Sequence, residues 1–506
     1  MPRPNVLVVL TDQQRADTVE PTSGCHTPHL ERLADRGVRF ERCYAPNTVC
    51  SPSRGSIMTG ELPHSHGMTH VSHTVPDHQA RFQADLPTWS ERLDASGYET
   101  GYIGKWHVER QSGPSGFGFD LDLHYGSEEF AHAIERYRDD HDLDAAFRSN
   151  RTVADRDADD VYRPADGTID EDDLDLSYTL RDPGYRDSLL YGTHAGPVER
   201  RRDHFAYERA QTFIRERADT TQPWCLVVSS FGPHDPFVVP REYFDRYDPS
   251  TIELPETYND DLSDHSELYR RMQAVWSDME ERHAREMMAC YWAYCTYLDE
   301  RIGTLLETLE ETGQQDDTVV AMTSDHGEQL GAHGLSLKGA AAFEESYRVP
   351  LIIAHPDGPS GQVCPTLAQS LDLAPTIVDV AGAESLECYG TSVAPVVRGE
   401  QTETERDVAL GEFFGQRYFW THRVLWDDRY KFVFNPAGVD ELYDLEADPT
   451  ETENLAARGD PESRAIVERM TRRLFAELRE TGDETLVNTD YPTLRYAPVG
   501  PHPFED

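Results

Sequence analysis

Short apolar runs that stop at polar, chemistry-bearing residues recur along this chain. Val6–Leu10 is five apolar residues long and ends at Thr11-Asp12-Gln13-Gln14; a continuous run of that length reads as a buried strand. Thr27-Pro28 opens a helix with Leu30, Leu33 and Ala34 on one side and a stop near Gly37. Val38–Tyr44 reads as the next strand. Pro52 and Gly60 bracket a short helical run that starts at Cys50, since proline suits a first turn and glycine a last one. Further on, the pattern predicts a helix over Pro87–Ala95 and a strand over Tyr98–Ile103, which meets Gly104-Lys105-Trp106-His107. A helix over His204–Arg217 precedes a strand over Trp224–Ser230, closed by Gly232-Pro233-His234-Asp235-Pro236. A long amphipathic helix over Glu286–Thr312 leads to a strand over Thr318–Thr323, which ends in Ser324-Asp325-His326-Gly327-Glu328. A strand over Leu351–Ala354 and a helix over Leu371–Val378 follow. Strands alternating with helices predict an α/β fold.

Two stretches depart from this rhythm. From about residue 112 to 202 aspartate is dense and apolar periodicity poor, which predicts a solvated insertion folding over the mouth of a site. From about residue 400 the elements shorten to strands over Tyr418–Thr421, Arg429–Phe434 and Glu441–Glu446, then a terminal helix over Pro461–Thr481 and an irregular proline-rich tail. The expected organisation is therefore a main α/β domain over 1–399, carrying the insertion, and a small α+β subdomain over 400–506.

Composition narrows the function classes. The 93 acidic residues outnumber the 47 basic ones, for a net charge of −46, and the acid is spread along the whole chain. That distribution disfavours nucleic-acid binding and resembles a halophile surface, where salt screens the self-repulsion. No apolar run reaches membrane-spanning length. Met-Pro-Arg-Pro-Asn runs straight into the first apolar stretch, which is too short for a signal segment; the expectation is a cytoplasmic protein. The eight cysteines include no CxxC pair and do not form a disulfide framework; Cys290 and Cys295 are expected in the core. The basic residues include only three lysines, Lys105, Lys338 and Lys431. Two of them fall in motifs, which marks them for work that needs a compact ammonium. Lys431, in a predicted strand, is expected at the surface.

Cys50-Ser51-Pro52-Ser53-Arg54 puts a cysteine at a helix start, where the dipole and free N–H groups favour an anion. Three residues separate Cys50 from Arg54, whereas a cysteine-phosphatase loop needs five. The run resembles the signature of type I sulfatases, in the alkaline phosphatase superfamily. So do Gly-Lys105-Trp-His107, Pro233-His234-Asp-Pro236 and Asp325-His326 with its following Gly-Ala-His-Gly run and Lys338, in the family's order over nearly the whole chain. The resemblance implies a large mixed, mostly parallel sheet sandwiched by helices. It implies that Cys50 is converted to formylglycine by a formylglycine-generating enzyme or its equivalent. A divalent cation would lie between Asp12, Asp325, His326 and modified Cys50, with calcium first and manganese or magnesium as alternatives, and Gln13 as an extra ligand. Gln13 stands where many family members carry a second aspartate; members resembling choline sulfatases and phosphonate monoester hydrolases likewise use only the first. Arg54 would orient the nucleophile. Lys105, His234 and Lys338 would bind the sulfate, and His107 would be the base that releases it. The implied activity is hydrolysis of a sulfated small molecule or glycan. A phosphonate or phosphate ester hydrolase of the same superfamily and a non-catalytic anion binder remain as alternatives, and neither substrate nor oligomeric state is legible.

Overall fold

The computed structural model describes residues 3–75, 81–83, 86–141, 143, 174–180, 188–416 and 419–483. Its strands are Asn5–Thr11 (β1), Val38–Tyr44 (β2), Glu99–Gly104 (β3), Leu121–His124 (β4), Leu174–Leu180 (β5), Ser188–His194 (β6), Trp224–Ser229 (β7), Phe237–Pro240 (β8), Thr318–Ser324 (β9), Leu351–Ala354 (β10), Gln362–Gln369 (β11), Ala409–Phe413 (β12), His422–Trp426 (β13), Tyr430–Phe434 (β14) and Glu441–Asp444 (β15). Eight of them form the main sheet, in the order β11-β2-β10-β9-β1-β7-β3-β4. Only β10 runs antiparallel to its neighbours; the other pairs are parallel.

This order explains the apolar runs. β1 sits in the centre, between β9 and β7, and Val6 to Val9 are all buried. Both faces of such a strand must be apolar because helices cover both. One face packs on the Glu281–Glu311 helix and its neighbours, the other on the Trp89–Ala95 and Leu373–Val380 helices. Cys290 and Cys295 lie inside the first of these cores, as their helical spacing predicts. The carboxyl ends of β1, β3, β7 and β9 then point the same way, and Asp12, Lys105, Ser230 and Asp325 follow them directly. Open α/β sheets place their ligands at such an edge.

A second, antiparallel sheet, β12-β13-β14-β15, carries the Pro461–Thr481 helix on one face. Its second strand starts at His422, just beyond the predicted Tyr418–Thr421. Lys431 is not at the surface. It is fully buried in β14, ion-paired with Glu451 and 3.6 Å from Glu344. Alternation in a short strand does not tell which face meets another layer, and here both are covered.

The expected solvated insertion also needs correction. β4 is the edge strand of the main sheet, and Leu123, Phe130 and Ile134 join its core. β6 pairs parallel with β8, just after the His234 loop. The dense aspartates hid short apolar stretches that β-pairing buries. The aspartate runs at 155–160 and 170–173 and the tail from 491 lie outside the described residues.

Candidate active site

Cys50 begins the Cys50–Thr59 helix, after Val49 in extended conformation. All ten residues of that helix are buried, so its N-terminus opens into the protein rather than into bulk water. Gly60 ends it with a φ of 75°, a backbone that a side chain would strain. Asn47 fixes the approach: its Oδ1 accepts from Val49 N at 2.9 Å, and its Nδ2 donates to the Glu412 carbonyl at 2.6 Å. The small sheet thereby braces the loop that presents the thiol.

Around Cys50 the structure brings together the residues that the motifs marked for the site, from Asp12 and Gln13 to Lys338. Its Sγ is 3.3 Å from His326 Nε2 and 3.8 Å from Asp12 Oδ1. The ligand atoms of Asp12, Cys50, Asp325 and His326 lie within 4.8 Å of one another, all buried. Two carboxylates, an imidazole nitrogen and a cysteine-derived atom make a donor set that suits a divalent cation. His326 Nδ1 is 2.9 Å from the Gly327 carbonyl, which commits that nitrogen to donate and leaves Nε2 as the ligand atom. Arg54, fully buried, ties the cluster together. Its Nε donates to Asp325 Oδ2 at 2.7 Å, Nη2 to Asp12 Oδ2 at 3.2 Å, and Nη1 to Ser229 Oγ and the Lys105 carbonyl at 2.9 Å each.

Lys105 pairs with Asp12 and stands 3.8 Å from the thiol. Lys338 bonds to Gln13 Oε1 and stands 3.9 Å from Asp12 Oδ1. These cations shape the acidities. Burial alone would raise the Cys50 thiol, but Lys105, Lys338 and His326 outweigh it and hold the thiol well below its ordinary value. Burial and the Cys50 charge likewise raise the Asp12 carboxyl, and Lys105, His234 and Lys338 bring it far below the usual range. Asp325 goes the other way, raised by burial and by the Asp12 charge.

His234 Nδ1 is 2.6 Å from the Asp235 carbonyl, and its Nε2 faces the site 3.9 Å from Asp12 Oδ1. His107, with a left-handed φ of 49°, lies against Cys50. Its Nε2 is 2.9 Å from Nδ1 of His73, and the two rings stack.

Four supporting residues were missed in the sequence. His73 lies in a loop tethered by the Ser72 N–H to Ser51 Oγ. Ser229 reaches Arg54 from the end of β7. Asp203 accepts from Phe231 N and Gly232 N, and so holds the His234 loop. Glu328, fully buried, accepts from Gln13 Nε2 at 2.5 Å. Only Glu328 carried a signal, by standing two residues past His326 in the same motif.

Comparison with known proteins agrees with this geometry. The sulfatase family model matches residues 4–383, and the model of the C-terminal region of N-sulphoglucosamine sulphohydrolase matches residues 331–480. The chain belongs to the sulfatase family and is a hydrolase of the alkaline phosphatase superfamily. It is 29% identical to a choline-sulfatase of Rhizobium meliloti over 94% of this chain and 86% of that one. It is 30% identical to the Escherichia coli sulfatase YidJ, itself uncharacterized, over 90% and 83%. In fold it is similar to a phosphonate monoester hydrolase from Silicibacter pomeroyi, with a TM-score of 0.74 and 23% identity over 96% of this chain and 97% of that one.

Proposed function

We propose that the protein hydrolyses sulfate monoesters to an alcohol and sulfate, with a nucleophile derived from Cys50. The observation that carries this reading is that one thiol is gathered with two sets of groups, the cation ligands Asp12, Asp325 and His326 and the basic side chains Lys105, His107 and Lys338. A plain anion binder has no use for a cation cluster on a cysteine. A divalent cation held by Asp12, Asp325, His326 and the modified residue 50 would supply Lewis acidity and lower the pKa of the attacking hydroxyl. Formylglycine at position 50, once hydrated, would supply that hydroxyl and a second one, so that sulfate can leave by elimination rather than by attack of water.

The chain's own residues do the rest. Lys105 and Lys338 draw in the monoanionic sulfate ester and hold its oxygens. Lys105 balances its charge against Asp12, and Lys338 rests on the neutral Gln13 amide. Arg54, bound to both aspartates and buried, holds their carboxylates beside Cys50. With its Nδ1–H donated to the Asp235 carbonyl, His234 turns Nε2 to the site, where as the imidazolium it would give a proton to the leaving alcohol. Burial lowers the pKa of His107, so it stands neutral beside Cys50, able to take a proton as sulfate departs.

The substrate class is a sulfated small molecule or glycan. A second reading, a phosphonate or phosphate ester hydrolase with the same residues, is favoured by Gln13, because one fewer negative ligand leaves more positive potential, and a phosphate monoester carries a second negative charge that a sulfate ester lacks. Initial rates on nitrophenyl sulfate and on a nitrophenyl phosphonate, with protein from its native host, separate the two. Faster turnover of the sulfate supports the first reading. Faster turnover of the phosphonate establishes the second, and activity that persists in Cys50→Ala removes both.

A further inference from the structure

The Gln13 amide is fixed from two sides. On one side stands Lys338 Nζ, which only donates, so the Gln13 atom it meets must be Oε1. The NH2 group then points the other way and needs an acceptor. Glu328 Oε2 provides it at 2.5 Å. The other Glu328 oxygen, Oε1, accepts from the backbone N–H of Leu330 at 2.9 Å and of Leu337 at 2.5 Å. Glu328 is fully buried, so water cannot substitute for any of these bonds. The Gln13 backbone is committed as well: its N–H donates to Asp325 Oδ1 at 3.1 Å, its carbonyl accepts from Tyr291 OH at 2.7 Å, and its φ is 68°.

We propose that Glu328 is a positioning residue that holds the Gln13 amide with its carbonyl oxygen toward Lys338 and the cation cluster. This rests on the reading of Asp12, Cys50, Asp325 and His326 as a cation site. At position 328 the two carboxyl oxygens of Glu328 take all three donors while Gln13 still presents its oxygen to Lys338. A glutamine there has no satisfying arrangement. If its oxygen keeps the Leu330 and Leu337 N–H groups, its NH2 meets the NH2 of Gln13. If Gln13 then flips, its NH2 meets the Lys338 ammonium. The pair Gln13→Glu with Glu328→Gln removes the conflict at unchanged net charge, because the new carboxylate at 13 accepts from Lys338 and from the new amide at 328.

The test uses the whole chain with three variants: Glu328→Gln, Gln13→Glu, and both together. In chelator, the expected result is a lower urea midpoint for each single variant and recovery in the double variant. Additive midpoint losses would overturn the orientation argument. With calcium chloride or manganese chloride alone as the probe, the apparent affinity is read from the thermal shift. Glu328→Gln is expected to weaken it at least tenfold, and the double variant to restore it to within a few-fold of wild type. A single variant that binds the cation like wild type overturns the proposal. If wild type shows no shift with either cation, the cation reading fails by itself, and with it the part of the proposal directed at the cluster, while the chelator arm still decides the orientation.

Discussion

Asp203 lies far from Cys50 in the chain, yet it holds the backbone that presents His234. Its Oδ1 accepts from Tyr125 OH and from Phe231 N at 2.8 Å each, and its Oδ2 from Gly232 N at 3.1 Å and Tyr294 OH at 3.3 Å. Asp203→Asn turns one of those oxygens into an NH2. Tyrosine hydroxyls can rotate to accept, but backbone N–H groups cannot, so either orientation of the amide sets two donors face to face at Phe231 or Gly232. One charge-assisted bond is lost and one buried donor is left unpaired, a cost of about 2–4 kcal/mol. Gly232 is two residues from His234, and relief of the clash moves that loop. A displacement of about 1 Å in a catalytic group costs on the order of 10²-fold in rate. The assay pairs urea unfolding with kcat/KM on a nitrophenyl ester. The expected variant is folded, destabilised by roughly that amount, and reduced on the order of 10²-fold in kcat/KM. A variant with the expected stability loss but wild-type kcat/KM would refute the claim that Asp203 positions His234.

Two further predictions concern the small sheet. Lys431→Met leaves the buried Glu451 and the half-buried Glu344 without their cation and should cost about 3–5 kcal/mol by urea unfolding, most of it recovered by adding Glu451→Gln; equal stabilities for the single variant and wild type would contradict the pairing. Burial alone would depress the His64 ring, but Nδ1 lies 2.5 Å from Glu412 Oε1 and Nε2 3.0 Å from the Thr481 carbonyl, and these bonds raise its pKa from about 6.5 to about 9. A raised folded pKa stabilises in full below pH 6.5 and loses that contribution as the pH rises to about 9. The loss is at most about 3 kcal/mol, and His64→Gln should flatten the stability profile in that window; an unchanged slope would sink the assignment.

Much of the fold was legible because a central parallel strand must be apolar on both faces and must end abruptly where the site begins. β1, β7 and β9 each show that run, and Asp12 and Asp325 directly follow two of them. The eight-strand order was not legible, since β10 and β11 owe their places to a crossover that no local pattern encodes. The site divides in the same way. Residues that meet the reacting groups stand in short motifs at strand ends or at a helix start. Asp203, Ser229 and His73 act through bonds to residues far along the chain, and a lone aspartate, serine or loop histidine has no local signature. Lys431 misled for a related reason: its scarcity was visible, but its burial depends on Glu451 and Glu344, which only folding brings near.

The central claim is that residue 50 becomes the nucleophile. Mass spectrometry of the tryptic peptide Cys43–Arg54, from protein made in its native host and alkylated after denaturation, tests it most directly. Cys43 is buried in β2 and serves as the internal control. The predicted result is Cys43 alkylated and residue 50 present as an aldehyde. Both residues alkylated as thiols would contradict the account and leave the cluster without its attacking group.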